Sequence, residues 1–378
     1  LKKIAILTYH NALNYGAVFQ AYALKEYLNR QENVEAEILN YGGVVAKYAS
    51  KSFLLKYCIK HPTYLFNLTS RLKMMRKFNE FRKEYLEISD RLLNKKDVNN
   101  KNIDKQLENF DAFIVGSDQV WNPNLNSGDR TYLLDFTDKE KYAYAASLGS
   151  FNDKKVMDEY FKNSLDKFSG ISLRENSSLD NIKKYYKDEL TTCLDPVFLL
   201  DMDEWKRLYK KDIKKNASDN ISQYYNADYV LYFSLDMDTS KLKNAAVSFA
   251  KKRNLKIIFV TDNERKERYK DLEHFGVASP SELLFLMDNA SYIFTNSFHG
   301  TALSIILHKE FFVETNIASN NRLLDLLENT SLEDRALLDG KFADSLDEKA
   351  CSICWEKVDE KIDEMLKGSK EFLKKITG

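Results

Sequence analysis

His299 follows the apolar run 291–295 and precedes the small residues Gly300, Thr301 and Ala302. An imidazole there can face a cleft while the first backbone amides of a helix point to the same place. That suits an anion that also gains or loses a proton, because histidine titrates in the useful range. A capping histidine satisfied by nearby carbonyls fits the same pattern. Arg174 comes directly after the hydrophobic stretch 168–173, from which a guanidinium can grip a carboxylate or phosphate with two parallel hydrogen bonds. A surface ion pair with Glu175 or Asp180 is the competing reading. Three further segments offer polar groups after apolar runs: His10 with Asn14-Tyr15-Gly16, Ser117-Asp118, and Asn296-Ser297 leading into Gly300-Thr301. None of them spells a GxGxxG fingerprint or a P-loop, which argues against a dinucleotide-dependent oxidoreductase and a P-loop kinase. His61, His274 and His308 have no supporting neighbours.

These residues need elements to hold them. Residues 3–8 (KIAILT) read as a buried strand. Val18, Ala21, Tyr22, Leu24 and Leu28 recur at helical spacing after Gly16, and 34–39 reads as a second strand. Further strands are expected at 110–116, 142–148 and 168–173, and a helix over 175–186. Pro196 closes this half. The charged stretch 201–228 separates it from a second alternation. There, strands are expected from 229, over 255–261, 291–295 and 309–314, with helices over 241–252, from Ser279-Pro280 and over 301–308. Two such alternations define a doubly wound α/β protein. In that class, ligands sit outside the carboxyl ends of the strands, where all the candidate residues fall.

The 378 residues suggest two or three domains. With 44% hydrophobic and 30% charged residues, a sizeable core and a solvated surface are both available, as expected of a soluble globular protein. The 57 basic residues equal the 57 acidic ones, so no global charge recruits nucleic acid. Only Cys351 and Cys354 have CxxC spacing. No second ligand pair accompanies them, so no metal is expected, and the four cysteines read as structural or incidental. No secretory signal or apolar run of about 18 residues is recognisable, and a cytoplasmic location is expected. Glycine (12) and proline (4) are scarce, so each glycine invites a specific backbone reason.

One stretch stands apart. Residues 47–83 carry ten Lys or Arg against Glu80 alone, interleaved with residues such as Phe53, Leu54, Tyr57, Met74, Phe78 and Phe81. This reads as basic amphipathic helices inserted into the first domain. Their face suits a membrane surface or a polyanionic acceptor, or else it is a solvated face packed on its own domain.

Taken in order, LTYHNALNYGAVFQAYAL (7–24), FDAFIVGSDQVWNP (110–123), YAASLGS (144–150), ISLRENSS (171–178), CLDPVFLL (193–200), TNSFHGTALSI (295–305) and NRLLDLLENTSLEDR (321–335) resemble the polysaccharide pyruvyl transferase family. The resemblance implies two Rossmann-like domains facing across a cleft, as in GT-B glycosyltransferases. It implies transfer of an enolpyruvyl group from phosphoenolpyruvate, a co-substrate rather than a cofactor, to a sugar diol in polysaccharide or cell-wall glycan synthesis. The domains expected are 1–200, with the insertion near 47–100 and completed by terminal helices over 345–378, and 201–344. His299 and Arg174 would be catalytic, with Ser297, Gly300, Thr301 and Arg322 at the donor. His10, Asn14, Tyr15, Gly16, Ser117 and Asp118 would face a sugar or lipid-linked acceptor, consistent with peripheral membrane contact. Two departures stand out. Ser297 occupies a position where many members have Arg, which Arg322 or Arg335 would replace, and Ala17 stands where many have Asp. A GT-B glycosyltransferase using a nucleotide sugar and a degenerate, glycan-binding member are the alternatives.

Overall fold

The computed structural model describes residues 1–44, 47, 50–61, 68–90, 92–95, 107–216, 218, 221–235, 240–261, 273–315, 321–337 and 353–378. Cys351, residues 345–352 of the expected terminal helices and parts of the insertion lie outside them. Two parallel six-stranded sheets form the frame, each flanked by helices. The first contains β1 (Lys2–Leu7), β2 (Val34–Ile38), β3 (Ala112–Val115), β4 (Glu140–Ala146), β5 (Gly170–Leu173) and β6 (Leu190–Thr192), in the order β2-β1-β3-β4-β5-β6. The second contains β7 (Tyr229–Ser234), β8 (Lys256–Thr261), β9 (Glu273–His274), β10 (Tyr292–Thr295), β11 (Phe311–Glu314) and β12 (Ala336–Leu337), in the order β12-β11-β10-β7-β8-β9. Central strands such as β3 and β7 are buried along their length, which is why they read as continuous apolar runs.

The strand order reverses between β1 and β3 in one sheet and between β7 and β10 in the other. At such reversals the connections leave in opposite directions and open a crevice at the carboxyl ends. The loops after β1, β3 and β10 carry His10–Asn14, Gly116–Asp118 and Asn296-Ser297, so the fold delivers these candidates to its two crevices.

Helix Tyr15–Asn29 joins the halves. Twelve of its residues are buried, on more than one face, as befits a helix enclosed by both domains. Phe19 meets Trp205 edge to face and Tyr22 meets it at a tilt, at ring separations of 5.5 and 5.8 Å. Trp205 belongs to helix Met202–Asn216, inside the stretch read only as a charged separator. Its buried Trp205, Leu208, Tyr209 and Asp212 recur at helical spacing, a signal outweighed by the surrounding lysines. The region 175–186 is not one helix but three single turns, Asn176–Ser178, Leu179–Ile182 and Lys183–Tyr185. A polar side chain takes a backbone group there: Ser177 N donates to Asp325 Oδ2 at 3.3 Å.

Helix Trp355–Thr377 packs on both halves. Trp355 stacks on His308, whose Nε2 lies 3.0 Å from Asp359, so His308 does have partners. Farther along, Phe372 meets Tyr144 at 6.2 Å, and Ser369 Oγ accepts from the backbone of Leu194 at 3.0 Å. Among the described residues no helix is long and apolar enough to cross a membrane. Cys58 and Cys193 are buried and free, and Cys354 is exposed and free.

Candidate functional site

The helix carrying His299 runs over Phe298–Ile306, three residues earlier than the spacing suggested. Ser297 is its N-cap, its Oγ accepting from Gly300 N at 3.2 Å. Thr301 Oγ1 donates to Ser297 O at 3.1 Å and is fully buried. Ser297 and Thr301, expected beside the donor, thus commit their hydroxyls to the helix. Gly300 is required by packing: a Cβ there would lie 2.6 Å from Thr295 Oγ1. These three shape the turn that aims His299.

His299 points across the crevice at the first domain. Its Nε2 stands 3.4 Å from Asp195 Oδ2, at contact distance but not in an aligned hydrogen bond. Its Nδ1 presses against Gly16, where a Cβ would sit 1.9 Å away. Gly16 is therefore glycine because an imidazole from the other domain needs the space. Asn14 caps this helix through Oδ1, which accepts from Ala17 N at 3.1 Å. Tyr15 faces away from any acceptor: it is 1% exposed and donates to Ala278 O at 2.9 Å. Its role is to bind the two halves together.

Arg174 reaches the same point from β5. Its Nη1 donates to Asp195 Oδ2 at 2.7 Å, and Nη2 is 3.7 Å from Asp118 Oδ1. Its guanidinium lies 4.5 Å from the centre of the Phe298 ring, and that of Arg322 lies 5.9 Å from the same ring. Ser117 Oγ donates to Ala145 O at 2.7 Å and stands 3.3 Å from Asp195 Oδ2. Arg174 is thus neither a surface residue nor paired with Asp180. It is the inner member of a buried cluster drawn from both domains.

The charges in this cluster constrain one another. Burial opposes the charge on Arg174, but Asp195, Asp118 and Glu175 outweigh it and raise its pKa. Burial would also raise the Asp195 pKa; His299 and Arg174 overcome it and hold the carboxyl far below the usual carboxylate range. Arg322 is pulled down to about 10, first by burial and then by the charge of Arg174. Burial pushes Glu175 up, partly countered by Arg174 and Arg322. The Glu175 Oε1 accepts from Ser147 Oγ at 2.9 Å, Leu148 N at 3.1 Å and Ser178 Oγ at 2.7 Å, tying the loop after β4 to the loop after β5.

Arg174 Nε and Nη2, Arg322 Nε and His299 Nε2 are buried and have no hydrogen-bond partner among the described residues. Buried polar atoms are normally satisfied. Guanidinium and imidazole nitrogens left open around one point ask for an oxygen-rich, negatively charged ligand. Among the described residues no group of three His, Cys, Asp or Glu could hold a metal ion.

His10 is not placed to touch a sugar. It is 1% exposed, its Nδ1 is 3.2 Å from Thr8 O, and its carbonyl accepts from Arg82 Nε at 2.8 Å. Arg335 is paired with Glu310 at 2.8 Å, which leaves Arg322 as the second arginine of the cluster. Asp195, Glu175 and Phe298 were not singled out from sequence as site residues. Asp195 sits in LDP and reads as a turn residue; only its neighbours in space reveal it.

The model of the family described as polysaccharide pyruvyl transferase matches residues 14–316. No curated protein matches the chain. Among solved structures, a UDP-GlcNAc 2-epimerase from Methanocaldococcus jannaschii is similar with a TM-score of 0.55 and 14% identity, covering 97% of this chain and 93% of its own. A UDP-GlcNAc 2-epimerase from Neisseria meningitidis bound to UDP-GlcNAc gives 0.54 and 10%, covering 100% and 94%. A glycosyltransferase from Rickettsia africae gives 0.53 and 13%, covering 99% and 98%. At these identities the likeness establishes the fold, two GT-B-type halves across a cleft.

Proposed function

Because the chain belongs to the polysaccharide pyruvyl transferase family, we propose that it moves the enolpyruvyl group of phosphoenolpyruvate onto two hydroxyls of a sugar, forming a cyclic ketal. The observation that carries this reading is the convergence of Arg174, Arg322 and His299 with open, buried nitrogens at one point between the domains. Phosphoenolpyruvate brings a carboxylate and a phosphate on one small carbon frame, a match for two guanidinium groups.

The chemistry balances without another reactant. A proton adds to C3 of the enol phosphate, leaving cationic character at C2. One sugar hydroxyl attacks C2, the bond from C2 to the phosphate oxygen breaks, and the second hydroxyl closes the ring. Of the two hydroxyl protons released, one replaces the proton given to C3 and the other leaves with phosphate. His299 is the titratable group in position to move a proton, with Asp195 holding negative charge beside Nε2. Arg174 and Arg322 would neutralise the departing phosphate. The first-domain loops at Asn14–Gly16 and Ser117–Asp118 would border the acceptor. Asp118 and Asn14, both partly exposed, are the side chains among them open to a sugar hydroxyl.

The test is ligand-dependent thermal stabilisation together with phosphate release from phosphoenolpyruvate in the presence of sugar acceptors. Wild type should be stabilised in a dose-dependent way, and Arg174→Ala and His299→Ala should lose transfer while remaining folded. Full activity in both variants would refute the assignment. Stabilisation by UDP sugars with none by phosphoenolpyruvate would favour a nucleotide-sugar glycosyltransferase, to which the two-domain cleft is equally suited. Glycan binding with no phosphate release from any donor would mark a binding protein.

A further inference from the structure

The insertion leaves the first sheet at the carboxyl end of β2, on the edge that bears the site. Helix Leu68–Tyr85 is fixed at two points of its buried face. Arg82 donates to His10 O at 2.8 Å and to Ala12 O at 2.5 Å, in the loop after β1. Lys77 pairs with Glu282 of the second domain at 2.5 Å. Two of the ten basic residues are therefore structural. Those of the preceding helix, Lys51–Lys60, are not. That helix turns Leu54 and Cys58 inward, at 5% and 4% exposure. Outward it presents Leu55 and Ile59, 56% and 80% exposed and one turn apart, with Lys51, Lys56 and Lys60 also exposed. Leu72 and Arg76, one turn apart on the next helix, are exposed as well. Between Glu37 and Glu80 the chain has no acidic residue.

We propose that this face docks the protein on an anionic lipid bilayer, with Leu55 and Ile59 entering the headgroup–acyl boundary and Lys51, Lys56 and Lys60 lying among the lipid phosphates. Charge complementarity selects the surface, and the apolar pair selects a bilayer over a soluble polyanion, which offers a leucine and an isoleucine nothing to enter. Long lysine stems lie along apolar surface while their ammonium groups stay in the polar layer. Because Arg82 and Lys77 fasten the insertion to the β1 loop and to the second domain, docking would hold the site-bearing edge in a fixed relation to the membrane. The proposal does not depend on the reaction assigned above.

The experiment is co-sedimentation of the full chain with phosphatidylcholine vesicles, with and without phosphatidylglycerol. Wild type should bind the phosphatidylglycerol vesicles and detach in high salt. Lys56→Glu/Lys60→Glu should weaken binding about 30-fold or more, since each lysine near such a surface contributes on the order of a fivefold factor. Leu55→Ser/Ile59→Ser should weaken it about tenfold or more. Both pairs lie on the exposed face, so thermal unfolding should stay at the wild-type value. The proposal falls if neither vesicle is bound, if phosphatidylcholine alone is bound equally, or if the Leu55→Ser/Ile59→Ser variant binds as wild type does. It also falls if sedimentation shows a dimer that this apolar variant dissolves, which would make the patch a contact between copies.

Discussion

Gly16→Ala is the sharpest probe of how the two domains make one site. The added Cβ would stand 1.9 Å from His299 Nδ1, 2.3 Å from its Cγ and 2.6 Å from its Cε1. A Cβ essentially never comes closer than 3.0 Å to a non-bonded heavy atom, so the imidazole or the helix must yield by about 1.1 Å. Overpacking of this kind costs about 1–3 kcal/mol. Against it stands the helix preference for alanine over glycine, up to about 1 kcal/mol in the helix interior. In a His299→Ala background the clash is gone and only the helical gain remains. The two substitutions should therefore couple by about 1–3 kcal/mol in a double-mutant cycle measured by urea unfolding of the four proteins. Activity should respond more steeply. Displacing a reacting group by about 1 Å costs on the order of a hundredfold in rate, so Gly16→Ala should lose most transfer while remaining folded. Coupling below about 0.5 kcal/mol, or wild-type turnover in Gly16→Ala, would refute the claim that His299 works against the first helix.

Arg174→Lys keeps a charge beside Asp195 but loses the forked donors and the stacking on Phe298; transfer should fall about ten- to a hundredfold with little change in unfolding temperature, as read by phosphate release and thermal melts. Lys77→Met strands the buried Glu282 carboxylate and should cost about 3 kcal/mol or more in urea unfolding, part of which Lys77→Met/Glu282→Gln recovers. Burial lowers the His10 pKa from 6.5 to about 4. Between those values the unfolded chain binds a proton that the folded chain refuses, so stability falls as pH drops across this window, by roughly 3 kcal/mol. His10→Asn should flatten that slope in urea unfolding at stepped pH; an unchanged slope would contradict a neutral, buried His10.

Much of the fold was legible because it rests on local signals. Buried parallel strands such as β1, β3 and β7 read as unbroken apolar runs, and Ser279, Pro280 and Glu282 spell a capping box that the structure forms in full. The short edge strands β6, β9 and β12 span only two or three residues each, too few for any periodicity. Helix Met202–Asn216 hid its buried face under lysines. At the site, His299 and Arg174 could be picked out because each follows a strand. Arg322 entered only to replace a missing arginine, and its rival Arg335 was indistinguishable until Glu310 was seen to hold it.

The sequence by itself determined the two α/β halves, the family and the edge of each sheet that faces a ligand, since strand runs, caps and motif order are properties of neighbours along the chain. Which candidates meet was decided by tertiary structure alone. Asp195 and Arg174 are 21 residues apart and His299 lies in the other domain, yet Arg174 and His299 meet at one oxygen of Asp195. Tyr15, placed beside Gly16 along the chain, is turned into packing, and His10 is buried beneath Arg82. Charge and hydrogen-bonding partners act through space, and only folding brings two distant loops within the few ångströms over which those forces choose a site.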